Sequence, residues 1–446
     1  MVGSGGRLSR PVRSERRARP LWVWPTAFGA VAFGAAEVLS RLQLASDHWL
    51  VEVTWPGDTD AASTMVQVVA TAAMTATTLT FSVTVVALQL ASQQFSPRLL
   101  REFTRDPITR VVLTVLVATF VSSLTVLRHL RADEPPPSLS VLLVLVLALL
   151  TLASVLAFIT HMVRILRIDS MMRAVHEETS RAAATFYPPY EDHSHATGAG
   201  SVPDGPGLSV AARASGFVRA VDVEALVHAA QRADGVVRVE VRPGDHVVRG
   251  VPVATVWGDD REQMAEAVHE FVIVGFERTL EQDAAFGFRQ LEDIAVKALS
   301  PGINDPVTAA HAVGHMSDLL VRLLDCRLGS SEHRDDNGSV RAVVPDRDLR
   351  YYLDLACAQL RRYAAREPSV LMALLRMLRD MAAAARDDGQ REEIRRQARL
   401  VRSTVSLDLL EEDIEAVVDM ERRVGHALDG DIQAAFTDRS GDTRSI

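Results

Sequence analysis

Thr64, Gln67, Thr71, Thr75, Thr78, Ser82, Gln89 and Gln93 recur three, four or seven residues apart inside Ala61–Pro97, a run of 37 residues without a charge. Wound into a helix at 100° per residue, they fall within about 40° of one line. A row of hydroxyls and amides can stand in for part of an ion's hydration shell. The row therefore reads as the lining of a water-filled path in an oligomer, with Thr71, Thr75, Thr78, Ser82 and Gln89 as its pore-lining candidates. The same residue types let helices approach closely and can bond their own i−4 carbonyls. Thr77, Thr80 and Thr84 make a second, weaker hydroxyl face that favours this packing reading. Both readings are open from the sequence.

A second constellation lies at Ala298–Ala309, ALSPGINDPVTA. Pro301 and Gly302 stop one helix; Asp305 caps the next, and Pro306 takes its first position. Amides at such a helix start can hold an anion, with Lys297 one turn before. The ligand or ion candidates are Lys297, Ser300, Gly302, Asn304, Asp305 and Thr308. The competing reading is a turn whose polar groups serve its own backbone. Lys297, Asp293, Asn304 and Asp305 would be the residues of an enzyme, but no nucleophile–base pair is fixed, so no catalytic activity and no cofactor are expected. His311 and His315 form H-x-x-x-H without the glutamate of H-E-x-x-H, and His193 and His195 lie in a loop; no metal site is expected of either.

The elements that carry these groups differ sharply along the chain. Four apolar stretches reach the roughly 20 residues a bilayer requires: Leu21–Leu44, one within Ala61–Pro97, Ile108–Leu127, and one within Pro135–Thr160. The first has no small-residue cleavage site, which argues against a removed signal peptide. Arg7, Arg10, Arg13, Arg16, Arg17 and Arg19 precede the first span. Arg98, Arg101, Arg105 and Arg110 follow the second, and Arg164, Arg167 and Arg173 the fourth. The Asp47–Asp60 loop has four acids and no arginine. The positive-inside rule then puts both termini in the cytoplasm. Trp22, Trp24, Trp49 and Trp55 sit where interfacial anchors belong, and Glu37 and Arg41 are spaced to pair.

The expected organisation is a basic tail over 1–20, a four-helix transmembrane domain over 21–160, and a helical extension of the fourth span over 161–190. A linker at 191–207, a small β-rich module at 208–258, a helical domain at 259–436 and a disordered tail at 437–446 follow. The fold class is thus membrane α-helical with four transmembrane helices, then a cytoplasmic α+β region: a small β-barrel-like module and a helical domain. In the module, Val237, Val239 and Val241 alternate with Arg238, Glu240 and Arg242, and Pro243-Gly244-Asp245 is a tight turn. It looks like the barrel of biotinyl and lipoyl carriers but has no lysine for a swinging arm. Asp222 caps a short helix at 223–233. Later helices are expected at Arg261–Gln282, Phe288–Leu299, Pro306–Cys326, Asp346–Arg366, Ser369–Asp387, Arg391–Val401 and Ser406–Leu428, with Ser330–Ser339 a polar loop.

Composition excludes other classes. The 446 residues are 48% hydrophobic and 24% charged, which excludes a disordered chain. Cys326 and Cys357 are the two cysteines, too few for a disulfide scaffold. Residues 1–160 balance at +3 and 161–446 at −12, so a nucleic-acid partner is not expected. Lys297 is the one lysine, which removes any Walker A loop.

Three strings, TFSVTVVALQLASQQFSPRLLREF (Thr80–Phe103), SGFVRAVDVEALV (Ser215–Val227) and RTLEQDAAFGFRQLEDIAVKALSPGINDPVTA (Arg278–Ala309), resemble bacterial predicted membrane proteins of domain of unknown function family 2254. The resemblance runs from about Pro20 to His426. The resemblance implies a multi-pass protein of a bacterial inner (plasma) membrane with a cytoplasmic C-terminal portion and supplies no activity. The expected partners are the lipid bilayer, further copies of the chain as a homo-oligomer, and a small ion or anionic ligand. The leading reading is an oligomeric ion channel or passive transporter gated by its cytoplasmic domain. The alternative is a membrane-anchored ligand sensor or scaffold without transport.

Overall fold

The structure is a computed structural model and describes residues 23–42, 58–94, 107–131, 135–165, 167–191 and 202–436. The arginines before the first span, Trp22, Trp49, Trp55, the 98–105 arginines, His193, His195 and the 437–446 tail lie outside the described residues. The chain divides into two compact units, residues 13–171 and, apart from 1–12, residues 172–446.

The first unit holds α1 (Val23–Arg41), α2 (Thr59–Gln94), α3 (Pro107–His129) and α4 (Ser138–Ile165), each long and apolar enough to cross a membrane. They coincide with the four stretches read from the sequence. α3 is the central helix, packing on α1, α2 and α4. Its buried residues explain why: Thr119, Ser122 and Ser123 are small enough for close approach. The Thr119 hydroxyl also meets the Thr151 hydroxyl of α4 at 2.8 Å. Ala36, Ala62, Val66, Val126, Val141 and Val144 form one apolar cluster, and Ala87, Val112, Leu116, Phe158 and Met162 another. The fourth span does not extend unbroken to residue 190: a separate helix, α5 (Ile168–Phe186), begins after α4.

The described residues of the second unit form no closed barrel. Its strands are β1 (Leu208–Ala211), β2 (Gly216–Val221), β3 (Val236–Val239), β4 (His246–Val247), β5 (Pro252–Trp257), β6 (Val272–Gly275), β7 (Ser331–Arg334) and β8 (Val340–Val344). They form an open five-stranded sheet, β1-β5-β3-β8-β7, and a three-stranded sheet, β4-β2-β6. Residues 259–436 are therefore not purely helical. The helix expected at 261–282 ends at Phe271, where β6 turns to pair with β2. The expected polar loop at 330–339 is a hairpin whose second strand runs parallel to β3, with Val237 opposite Ala342. Residues 335–338 make its turn, with Gly338 at φ +81°. The alternating Val237 and Val239 face the core of this sheet with Val256, Ala342 and Met264.

Helices α6 (Val223–Arg232) and α7 (Arg261–Phe271) cover the sheet, and α8 (Ala284–Ala298), α9 (Pro306–Leu324), α10 (Leu349–Cys357), α11 (Leu360–Tyr363), α12 (Pro368–Ala384), α13 (Asp388–Ser403), α14 (Glu411–Leu428) and α15 (Ile432–Phe436) complete the unit. The helix expected at 346–366 is broken at Ala358–Gln359 into α10 and α11. α8 lies close against α5: a Cβ on Gly287 would sit 1.7 Å from the Thr179 hydroxyl, so only glycine fits.

Candidate functional site

α2 packs through Ala62, Val66, Ala70, Ala73, Thr80 and Ala87, all buried. Their spacing puts them on one face, about 180° from Thr71 at 100° per residue. The polar row lies on the other face. Thr64, Gln67, Thr71, Thr75, Thr78, Ser82 and Gln89 are all exposed; the side chain of Gln93 lies outside the described residues. Packing among the described residues therefore does not account for the row. It does account for the weaker face, where Thr80 is buried and Thr77 and Thr84 are half-buried. Exposed Val68, Met74, Leu79 and Val86 flank the row. Thr71 donates its hydroxyl to Gln67 O, Thr75 to Thr71 O and Thr78 to Met74 O, at 2.9, 2.9 and 3.1 Å. With the protons committed to their own helix, the oxygen lone pairs face outward.

Glu37 pairs with Arg41 at 2.7 Å, as its spacing predicts, and also with Arg128 and His129 at the end of α3, both at 3.4 Å. One carboxylate thus gathers three basic side chains where two of the apolar helices end.

At the junction, Asp305 caps α9. Its Oδ1 accepts from the Thr308 amide at 3.1 Å and its Oδ2 from the Thr308 hydroxyl at 2.6 Å. These bonds hold the Asp305 carboxyl below the usual range. The place an external anion would take at this helix start is filled by the chain's own carboxylate. Ser300 donates to Lys297 O at 2.7 Å and its carbonyl accepts from the Ile303 and Asn304 amides. Asn304 closes the turn at φ +51°, a conformation asparagine tolerates. Lys297, Ser300, Asn304, Asp305 and Thr308 are thus neighbours in a turn that largely serves its own backbone, and Gly302 is exposed at its tip.

His311 and His315 do not come together on a ligand. His315 instead faces His176 of α5, ring centroids 5.2 Å apart, and His176 Nε2 lies 3.1 Å from Asp318 Oδ2. Among the described residues no set of three or more histidines, cysteines and acids is placed to hold one metal ion.

Sequence reasoning missed a buried ionic network. Asp283, at the start of α8, is almost fully buried, with Arg278 Nε at 2.6 Å and Arg347 Nη1 at 3.4 Å. Arg347 also donates to Pro243 O at 2.8 Å, on the tight turn where Gly244 takes φ +90° because a Cβ there would meet the Asp283 carboxylate. Burial pushes the adjacent Asp346 carboxyl up to about 6. Tyr352 shares a hydroxyl–hydroxyl bond with Tyr187, and burial raises both phenols. The turn was legible; its burial partners, up to a hundred residues away, were not.

The sequence pattern of the family described as "Predicted membrane protein (DUF2254)" matches residues 18–380. The chain belongs to this family. It is 32% identical over 408 residues to an uncharacterised protein of Mycobacterium tuberculosis, covering 89% of this chain and 78% of that one. The same figures hold for an uncharacterised protein of Mycobacterium bovis. No solved structure matches the chain. The residues that match DUF2254 contain all four apolar helices, both sheets, the Asp305 junction and the Asp283–Arg347 network, and end within α12.

Proposed function

We propose that this DUF2254 protein spans the bacterial plasma membrane four times, arginine-rich segments in the cytoplasm, and that copies assemble so that α2 lines an ion path. The supporting observation is the placement of the polar row on the face of α2 opposite its packing face. Seven polar side chains over 25 residues extend about 37 Å at 1.5 Å per residue, longer than the roughly 30 Å hydrocarbon layer. In a single copy this row would face lipid, which is unfavourable. Around an axis shared by several copies it faces water, and the flanking Val68, Met74 and Val86 seal the contacts between neighbours. Outward-facing lone pairs favour cations, as does the −12 balance of residues 161–446. That second unit is the natural regulator of such a path, and no catalytic step belongs to the proposal.

The test is electrical. Purified full-length protein in planar bilayers under salt gradients is expected to give discrete, cation-selective steps, and Thr78→Val is expected to reduce them. Closed membranes at every gradient and voltage, with protein insertion verified, would overturn the proposal.

A further inference from the structure

α8, α10 and α11 border an open cleft of about 690 Å³, a volume in the range of small-ligand sites. It exists because α10 stops at Cys357 and restarts as a single turn. Leu360 and Ala364 are fully buried and hold that turn on the core, which turns Arg362 and Tyr363 outward beside Gln359.

Two arginines and two acids line the cleft, and they are not paired one to one. Glu292 is buried to 2% exposure and takes Arg289 at 2.6 Å. Asp354 takes Arg396 at 2.8 Å and the Gln397 amide. Both lining acids therefore already hold an arginine, Arg396 being shared with Glu393 at 2.7 Å. The Arg362 guanidinium makes no hydrogen bond or ion pair among the described residues. Next to it the Tyr363 ring is 53% exposed. An unpaired guanidinium is the group best suited to a phosphate, an exposed ring is a stacking surface for a flat heterocycle, and a carboxylate floor accepts hydrogen bonds from ring N–H and amino groups.

We propose that this cleft binds a mononucleotide, phosphate on Arg362, base against Tyr363, and polar base edge toward Glu292 and Gln359. The site is independent of the ion path, since its residues all belong to the second unit and binding is read without ion flux.

The experiment is isothermal titration calorimetry of the full-length protein in lipid nanodiscs with GMP and AMP, beside guanosine and inorganic phosphate. Saturable binding of at least one nucleotide is expected, with guanosine and phosphate each at least tenfold weaker. Arg362→Ala and Tyr363→Leu, both at exposed positions and checked for unchanged melting, are each expected to weaken nucleotide binding at least tenfold. No heat from either nucleotide up to about 1 mM overturns the proposal. So does inorganic phosphate binding as tightly as the nucleotide, which reduces the site to an anion contact, and so does binding unchanged in both variants.

Discussion

Replacing Asp346 by Asn removes a charge from the buried network without removing the bond it makes. Asp346 Oδ1 accepts from the Arg347 amide at 2.6 Å, and an asparagine oxygen can do the same. Burial, reinforced by Asp283, moves the Asp346 carboxyl from 3.8 to about 6. Between those two pH values the folded chain binds more protons than the unfolded chain, so unfolding free energy falls as pH rises. A displacement of roughly two pH units is worth about 3 kcal/mol. The cost is under about 1 kcal/mol at pH 4 and nearly complete at pH 7, where a folded carboxylate sits in the low-dielectric interior. Asp346→Asn escapes it. For a unit of this size, 1 kcal/mol corresponds to about 2–4 °C of melting temperature. The variant is therefore expected to melt about 6–12 °C above the wild type at pH 7 and within about 2 °C of it at pH 4. Thermal unfolding of both proteins in the same detergent, followed by circular dichroism across that range, makes the comparison; titrating groups remote from Asp346 cancel in the difference. A difference independent of pH, or a variant less stable at pH 7, refutes the reasoning, because it would mean that Asp346 is ionised in the fold and needed by Arg347.

Two further substitutions test the same unit. Asp283→Ala leaves Arg347 buried with its main counter-charge gone, and is expected to cost about 3–5 kcal/mol, read as a fall in melting temperature at pH 7. Gly287→Ala drives a methyl into the Thr179 hydroxyl and is expected to cost about 1–3 kcal/mol; Thr179→Gly in the same chain opens the space, and the pair should be less destabilised than the sum of its singles by melting.

The parts of this fold that were legible in the sequence are those fixed by neighbours in the chain. The Asp222 and Asp305 caps were readable because each bond spans three residues, Asp222 to the Ala225 amide and Asp305 to the Thr308 amide. The four apolar helices were readable because length alone distinguishes them, and their observed ends differ by only a few residues from those expected. β6 was not readable: Val272–Gly275 is four residues long and continues a helical pattern, and only its pairing with β2, some fifty residues earlier, makes it a strand. β8 joins β3 across about a hundred residues, so neither the hairpin nor the open sheet could be inferred from a local period. The polar row was legible as a pattern, but which way it faced was not, since that depends on where α3 and α4 pack. The Arg362–Tyr363 cleft gave no sequence signal at all; it exists because a helix breaks at Ala358–Gln359 for reasons of core packing.

The same distinction bears on what the outward row of α2 can meet. If it were glue between two copies, Thr71, Thr75 and Thr78 would face the identical residues of a second α2. In the structure each of these hydroxyls has already given its proton to a carbonyl of its own helix. Two such rows pressed together dry would present lone pairs to lone pairs over about two turns, and buried acceptors without donors cost about 1–3 kcal/mol each. A donor must come from elsewhere. Gln67 donates one N–H to Ser63 at 3.2 Å and keeps its second, so a dry contact would have to draw on the glutamine amides at the ends of the row. Water satisfies the row without changing any of these bonds, and a cation satisfies it with oxygen alone. Close packing of the Thr71–Thr78 stretch would need donors from the glutamine amides or hydroxyls that rotate off their carbonyls, whereas water satisfies the row with those bonds in place.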